Sequence, residues 1–246
     1  RNITVVKRLH NRTPCISQAF SYPRPDITAL LCLMPATLLA LDLSTAYGSL
    51  AVVCGHEVRF EASFQSERSH NARVFAPLRE ALEAAGDDLT GVVIGTGPGS
   101  YTGVRIAIAA GQGIALSRGV WCAGWSSLTA PELVTVPNYR VIGDARRQSF
   151  YLAEVKNGRL MPEIETVPHE VARERCSDGS MWLTFDPKVP LDLPQVSQTR
   201  PNALRLAQIV AALPVAELRE LIARPLIPHY LAEAFITKPK RPPGTV

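Results

Sequence analysis

The sequence lacks any long hydrophobic run. Its 246 residues are 46% hydrophobic and 20% charged, which is ordinary for a globular protein. The longest apolar stretch, residues 27–43, is interrupted by Pro35 and by polar residues, whereas a membrane-spanning helix needs about 20 consecutive apolar residues. We therefore expect one or two domains, a cytoplasmic location and no membrane partner.

Cysteine is scarce, and no two cysteines are spaced as a C-x-x-C pair. The five cysteines are Cys15, Cys32, Cys54, Cys122 and Cys176. An odd number at wide spacing predicts reduced thiols, and it favours neither a disulfide framework nor a zinc site. The protease motifs G-x-S-x-G and H-E-x-x-H are also absent, so the sequence gives no support to a protease.

The body of the chain has no basic excess. The formal net charge is +4, but residues 1–33 contain five basic residues and one acid, which leaves 21 basic and 21 acidic residues in 34–246. A surface that binds nucleic acid directly is normally basic. Any contact with RNA is therefore expected to be indirect.

The pattern of the chain predicts four segments. Residues 1–33 show no periodicity and precede Met34, so they are either a leader of the transit-peptide type or upstream sequence from a mis-assigned start, and we expect them to be disordered. Residues 34–125 alternate strand-like and helix-like periods in the order β-β-β-α-β-α-β, which indicates a mixed sheet. A second, smaller or degenerate lobe is expected over 126–235, followed by a disordered basic tail, 236–246.

A glycine-rich segment, GTGPGSYTGVR at 95–105, joins a predicted strand to a predicted helix. It lacks the Gly-Lys-Ser/Thr of a P-loop, and Ser100 stands where a Rossmann G-x-G-x-x-G motif requires glycine. Two interpretations remain. The segment is a tight turn with Ser100 or Thr102 capping the helix, or it contacts phosphate through Gly97, Gly99 and Ser100.

Asp42 and Ser44 end the first predicted strand of the body, in LALDLSTAYG. A carboxylate and a hydroxyl at a strand end can bind metal and phosphate, or they can bond to the N–H groups of their own turn. The other polar candidates are Arg146 and Arg147 in DARR. These arginines are predicted either to contact an RNA phosphate or a partner carboxylate, or to begin an exposed hairpin in which Asp144 pairs locally.

Several segments carry a resemblance to a known family. LALDLSTAYGSLAVV, RSHNARVFAPLREAL, GTGPGSYTGVRIAIAAGQGIAL, SSLTA and DARRQSFYLA occur in that order. The chain resembles the bacterial TsaB family, also called YeaZ and once classed as glycoprotease-like. The resemblance is strong over 38–155, and it departs from the family at Gln148 and Ser149, where DARR is usually followed by Gly-Glu.

The resemblance implies an α/β fold of the actin, sugar kinase and Hsp70 ATPase type, which is ribonuclease H-like and has two lobes with mixed sheets. It also implies a non-catalytic subunit that supports the paralogue TsaD in forming N6-threonylcarbamoyladenosine at tRNA adenosine 37. The expected partners are TsaD, TsaE and, in isolation, a second copy of the chain. This subunit is expected to need no cofactor, with ATP and metal on TsaD.

The resemblance further directs attention to the first predicted helix. TsaD-type enzymes carry H-x-x-x-H there, whereas this chain has His70 and then Val74. A single imidazole makes a poor metal site, because binding needs several converging ligands. We therefore expect no metal and no catalytic residue, and we place His70 and Val74 at a partner interface.

Small residues recur every four positions along the second predicted helix, at Gly103, Ala107, Gly111 and Ala115. Such a stripe lets another backbone approach closely. We expect it to form a helix–helix dimer interface together with helix 70–85, and the alternative is packing against the chain's own sheet. The alternative function is an active ATPase or sugar-kinase-like enzyme that uses Asp42 and the glycine loop; a homodimer with another scaffolding role is a third.

Overall fold

The structure is a computed structural model that describes residues 3–5, 36–65, 70–132 and 136–231. The predicted disordered tail lies outside the described residues. So does the predicted leader, apart from residues 3–5. Within the part of the chain that is described, no helix is both long and apolar enough to cross a membrane.

Regular elements follow one another closely along the described chain. The strands are β1 (Ile3–Val5), β2 (Thr37–Asp42), β3 (Tyr47–Cys54), β4 (Glu57–Gln65), β5 (Leu89–Gly95), β6 (Trp121–Trp125), β7 (Tyr139–Arg146), β8 (Ser149–Lys156), β9 (Arg159–Leu160), β10 (Glu165–Pro168), β11 (Trp182–Thr184) and β12 (Val196–Gln198). The helices are α1 (His70–Ala85), α2 (Tyr101–Arg118), α3 (His169–Arg175), α4 (Ala203–Ala211) and α5 (Val215–Ala223).

The first lobe contains a six-stranded mixed sheet with the order β1-β4-β3-β2-β5-β6. Short links make β2, β3 and β4 an antiparallel meander. The crossovers through α1 and α2 then make β5 parallel to β2 and β6 parallel to β5, as helical crossovers do. The predicted order β-β-β-α-β-α-β is confirmed. Residues 3–5 add an edge strand against β4, which differs from the disorder expected for them.

The second lobe repeats this arrangement in its own sheet, with the order β10-β8-β7-β11-β12. Here β8 and β10 are antiparallel neighbours on one side of β7, and β11 and β12 are parallel on the other side. The repeated topology confirms the two-lobed fold of the actin and sugar kinase type. An Asn-Gly turn joins β8 to β9, where Asn157 and Gly158 have φ of 51° and 71°.

The first sheet is covered on both faces, and this sets the boundary between the lobes. One face packs against α1 and α2. The other face packs against α4 and α5, which follow the second lobe in sequence. Helix α4 buries Ala203, Leu206, Ala207 and Val210, an i, i+3, i+4, i+7 pattern that fits a sheet face. The second lobe was predicted to span 126–235. It ends near residue 201, because the helices that follow pack on the first sheet.

Residues 224–231, the C-terminal strap, connect the two lobes beside the glycine loop. Leu226 packs against the core of the first lobe beneath α1 and α2. The backbone N–H of His229 donates to the carbonyl oxygen of Thr96 at 2.9 Å. Leu231 then packs against the second-lobe core. The strap thus touches both lobes within eight residues.

The stripe of small residues on α2 faces the chain's own sheet. Gly103, Ala107, Gly111 and Ala115 are all buried, and a β-carbon at Gly111 would collide with the side chain of Ile94 on β5. The placement of these four residues at a partner interface was therefore wrong. The four-residue spacing does reflect close packing of α2, but the helix packs against β5 and the turn after β2.

Gly111 and Gly113 make a matched pair for testing this packing. A β-carbon at Gly113 would meet no heavy atom within 4 Å apart from its chain neighbours and the backbone of its own helix. We predict that Gly111→Leu lowers the free energy of unfolding by about 2 kcal/mol or more, because overpacking a core costs about 1–3 kcal/mol. Gly113→Ala should raise it by about 0.5–1 kcal/mol through helix propensity. Urea unfolding measures both, and equal effects at the two positions would contradict the buried orientation of the stripe.

Candidate functional site

The glycine loop, residues 95–100, lies between β5 and α2 at the carboxyl end of the first sheet. Ser100 caps α2, because its hydroxyl oxygen accepts a hydrogen bond from the N–H of Gly103 at 3.1 Å. This confirms the predicted capping by Ser100. Open α/β sheets bind ligands at this end, so the contents of the loop decide what it can do.

The turn that follows β2 fills the concave side of the glycine loop. The backbone N–H of Ser100 donates to the carbonyl oxygen of Ser44 at 2.6 Å. A β-carbon at Gly99 would collide with that same oxygen, and one at Gly103 would collide with the carbonyl oxygen of Leu43. The glycines are needed for backbone to approach backbone. The turn after β2 therefore occupies the space that the absent side chains of Gly99 and Gly103 leave free.

The backbone of Gly97 in the loop is hydrogen-bonded to the turn after β6. The N–H of Gly97 donates to the hydroxyl oxygen of Ser127 at 3.0 Å, and the N–H of Ser127 donates to the carbonyl oxygen of Gly97 at 3.0 Å. The hydroxyl of Ser126 donates to that carbonyl as well, at 3.2 Å. This closure was not predicted from the sequence, although SSLTA contains both serines.

Asp42 lies at the centre of this arrangement and is completely buried. Its Oδ1 accepts hydrogen bonds from the N–H of Ser44 at 2.8 Å and from the Ser44 hydroxyl at 2.6 Å. Its Oδ2 has no hydrogen-bond partner of normal geometry among the described residues. Burial raises the pKa of the Asp42 carboxyl, and the neighbouring Ser127 and Ser44 hydroxyls and the Ser44 N–H oppose that rise.

The five residues proposed for nucleotide contact are therefore gathered in one place. Asp42 and Ser44 form a local turn, and Gly97, Gly99 and Ser100 close over that turn. This geometry supports the tight-turn interpretation of the sequence. Within the described residues, no group of three or more His, Cys, Asp or Glu side chains is placed to hold a metal ion.

Helix α1 carries the other two residues predicted for a partner interface, His70 and Val74. His70 begins α1, and its side chain lies outside the described residues. Val74 is fully buried in the first-lobe core, so its placement at a partner interface was wrong. The exposed apolar residues are instead Phe75 on α1, 63% exposed, and Leu116 on α2, 87% exposed. Sequence reasoning missed both, because it followed small residues and disregarded large apolar residues on the opposite face.

The second lobe presents Arg146 and Arg147 at the tip of the β7–β8 hairpin, where both are exposed. Three consecutive residues there, Arg146, Arg147 and Gln148, have φ of 71°, 54° and 60°, which is uncommon outside glycine. Asp144 stabilises the turn, since its Oδ1 accepts a hydrogen bond from the N–H of Arg146 at 2.7 Å. The predicted exposed hairpin with local pairing by Asp144 is confirmed.

The Asp144 turn repeats the Asp42 turn in the other lobe. In each case an aspartate on the central strand accepts a hydrogen bond from the backbone N–H two residues later. The aspartate that follows β11, Asp186, lies beside Asp144, and its Oδ2 accepts a hydrogen bond from the Asp144 N–H at 2.7 Å. Burial raises the pKa of Asp186. Both hairpin turns are therefore stabilised by the same interaction, an aspartate carboxylate that accepts a hydrogen bond from the backbone N–H two residues later.

Comparison with known proteins gives consistent matches. A family model described as TsaD, tRNA N6-adenosine threonylcarbamoyltransferase, matches residues 64–175. An uncharacterised protein of Mycobacterium tuberculosis is 30% identical over 205 residues, covering 80% of this chain and 92% of that protein. The tRNA threonylcarbamoyladenosine biosynthesis protein TsaB of Haemophilus influenzae is 26% identical over 199 residues, covering 70% of this chain and 84% of that protein.

Solved structures match the fold. A Pseudomonas aeruginosa protein described as similar to peptidase YeaZ superposes with a TM-score of 0.60 at 24% identity, covering 80% of this chain and all of that one. YeaZ from Pseudomonas aeruginosa gives a TM-score of 0.55 at 23% identity, covering 71% of this chain and 91% of that one. At these identities the likeness concerns the fold.

The buried carboxyl of Asp42 gives a pH-dependent prediction. A raised pKa contributes stability that is present below the ordinary aspartate pKa of about 4 and is lost as the pH rises through the folded-state pKa. We therefore predict that Asp42→Asn melts at a higher temperature than the wild type at pH 8. The gap should narrow as the pH falls towards 4.

Thermal unfolding of both proteins between pH 4 and pH 9 measures this effect. The control is Asp87→Asn, because the Asp87 side chain is fully exposed. If the melting curves of Asp42→Asn and wild type kept a constant separation across this range, the buried carboxyl would not carry the pH dependence.

Proposed function

This chain belongs to the TsaB (YeaZ) family, and from that premise we propose that it takes part in forming threonylcarbamoyladenosine on tRNA as a non-catalytic subunit. Its role is to hold a TsaD-type catalytic partner in the arrangement that transfers the threonylcarbamoyl group to adenosine 37. The observation that carries the proposal is the closed glycine loop, in which the N–H groups of Gly97 and Ser100 already donate to the Ser127 hydroxyl and the Ser44 carbonyl oxygen.

The closed loop supports a division of labour between the two subunits. Asp42 is buried beneath the loop and is engaged by Ser44, so it is poorly placed to hold a metal–nucleotide complex. ATP and metal chemistry are therefore assigned to the TsaD-type partner, and this chain needs no cofactor. The active ATPase or sugar-kinase alternative finds no support in this geometry.

The docking face proposed for the partner is the exposed side of α1 and α2. Phe75 and Leu116 are large apolar side chains on those helices, with most of their surface exposed. Gly113 is exposed on the same helix as Leu116, and open space surrounds it, so a partner helix can approach closely there. This face replaces the buried stripe as the helix–helix interface. The same face serves a homodimer when the chain is alone.

RNA contact is proposed to be secondary. Arg146 and Arg147 are exposed at the hairpin tip, and they are candidates for a phosphate of tRNA bound mainly by the partner. Charge reversal at these two positions should weaken tRNA binding by the assembled complex without disturbing its assembly. TsaE is a further candidate partner, and no single surface of this chain is assigned to it.

The docking face predicts a loss of assembly when it is charged. Phe75→Glu and Leu116→Glu should each raise the dissociation constant for the TsaD-type subunit by at least about tenfold, because each buries a carboxylate in an apolar contact. Isothermal titration with the partner from the same organism measures this constant. Met181→Glu is the matched control, since Met181 is 46% exposed but lies in the second lobe. Equal losses in all three variants, or in none, would contradict the docking face.

The non-catalytic role predicts an inert protein in isolation. The purified chain should hydrolyse no magnesium–ATP above the background of the Asp42→Asn variant in a phosphate-release assay, because the glycine loop is closed. Hydrolysis that Asp42→Asn abolished would support the enzyme alternative. Full threonylcarbamoyl transfer with the partner added would then be the positive control for the preparation.

A further inference from the structure

A cluster of two tyrosines and one arginine lies at the start of α2, and we call it the Tyr–Arg cluster. The rings of Tyr101 on α2 and Tyr230 on the C-terminal strap have centroids 5.3 Å apart and planes tilted by 30°. The guanidinium carbon of Arg105 lies 4.4 Å from the centroid of Tyr101. The Arg105 Nε donates to the Tyr230 hydroxyl at 3.2 Å. The two rings therefore fix the position of the guanidinium.

This arrangement leaves the anion-binding part of Arg105 unused. Stacking occupies a face of the guanidinium, and Tyr230 takes the Nε hydrogen, so the two terminal nitrogens remain for a ligand. Among the described residues, no carboxylate forms an ion pair with Arg105. Arg105 is exposed, and the two tyrosines are 50% and 46% exposed. A stacked, oriented arginine loses little freedom when it binds a carboxylate or phosphate through two parallel hydrogen bonds.

No acidic residue of α2 competes with a ligand for Arg105. Helix α2 contains no aspartate or glutamate along its 18 residues. Ala109, Gln112 and Leu116 continue the exposed face of α2 beyond Arg105, at the spacing of one helix side. The cluster is thus one end of the proposed docking face, with a cation at this end and the uncharged residues Ala109, Gln112 and Leu116 along the rest.

A protein carboxylate fits this surface better than an RNA backbone does. RNA-binding surfaces present several basic residues in a stripe. The other cation of α2, Arg118, lies at the far end of the helix and pairs with Asp87 at 3.4 Å. By contrast, one arginine with two tyrosines beside apolar residues is the composition of a binding hot spot between proteins.

We infer that the Tyr–Arg cluster is the polar anchor of the docking face and that Arg105 binds a carboxylate of the partner helix that packs on this face. Tyr230 is a positioning residue, because it acts on the partner only through Arg105. The inference rests on the proposed function and adds to it the chemistry of the contact. It also assigns a role to the C-terminal strap, which brings Tyr230 to α2.

The test measures dissociation constants for the TsaD-type subunit by isothermal titration. Arg105→Glu should weaken binding about thirtyfold, as loss of a hot spot does, and Arg105→Lys should give a smaller loss because the bidentate geometry is removed. Tyr230→Phe keeps the ring and removes only the hydroxyl, so we expect about a threefold to tenfold loss. Arg219→Glu is the matched control, since Arg219 is exposed on α5, which covers the opposite face of the sheet.

A second measurement identifies the ligand. Reversing the charge of the contacted partner carboxylate to lysine should restore the affinity of Arg105→Glu, and wild-type binding should weaken with salt more than binding by Arg105→Glu. Melting temperatures confirm that each variant is folded.

The outcomes separate this inference from the proposed function. If Arg105→Glu binds as well as wild type while Leu116→Glu does not, the inference is wrong and the docking face stands. If neither variant loses affinity, both are wrong. If Arg105→Glu assembles normally but its complex loses tRNA, the bound anion is a phosphate and the carboxylate inference is overturned.

Discussion

The turn after β2 rests directly on the glycine loop, and the packing of the whole first lobe depends on this contact. Two glycines without side chains, Gly99 and Gly103, let the carbonyl oxygens of Ser44 and Leu43 approach the start of α2. The contact sets the height of α2 above the sheet, since it holds the helix N-terminus. The buried Asp42 lies beneath the same contact, with its carboxyl beside Gly95 at the end of β5. A loop that is as rich in glycine as a phosphate-binding loop therefore serves to pack two backbone segments together.

The elements of the first lobe were predictable because their periods are strong. Alternating and continuous apolar runs indicated β2 to β6, and Ser100 was identified as a helix cap. The orientation of α2 was not predictable from its stripe of small residues. Such a stripe indicates close packing but does not identify the surface that packs against it. Gly111 and Ile94 settle the orientation, and they are brought together only by the fold.

The second lobe and the site differ from the sequence-based expectation for related reasons. Strands β10, β11 and β12 contain only three or four residues each, too few to show a period. Helix α4 has an apolar face, but its packing on the first sheet depends on contacts more than 100 residues apart in sequence, such as the hydrogen bond from the Ala203 N–H to the Ser49 hydroxyl. The same holds for the C-terminal strap, whose segment shows no regular pattern. Phe75 and Leu116 stand out only once the buried face of each helix is known.

The return of α4 and α5 to the first sheet has a consequence for synthesis on the ribosome. Strands β2, β3, β5 and β6 are complete by residue 125, yet the helices that cover one face of their sheet begin only at residue 203. That face contains Leu38, Ala51 and Val93 in its core. At about 5–20 residues per second, several seconds pass before α4 and α5 are synthesised and can cover it. The nascent first lobe therefore exposes an apolar sheet face during translation. Chaperone binding is expected to be highest in the interval before residue 203 emerges.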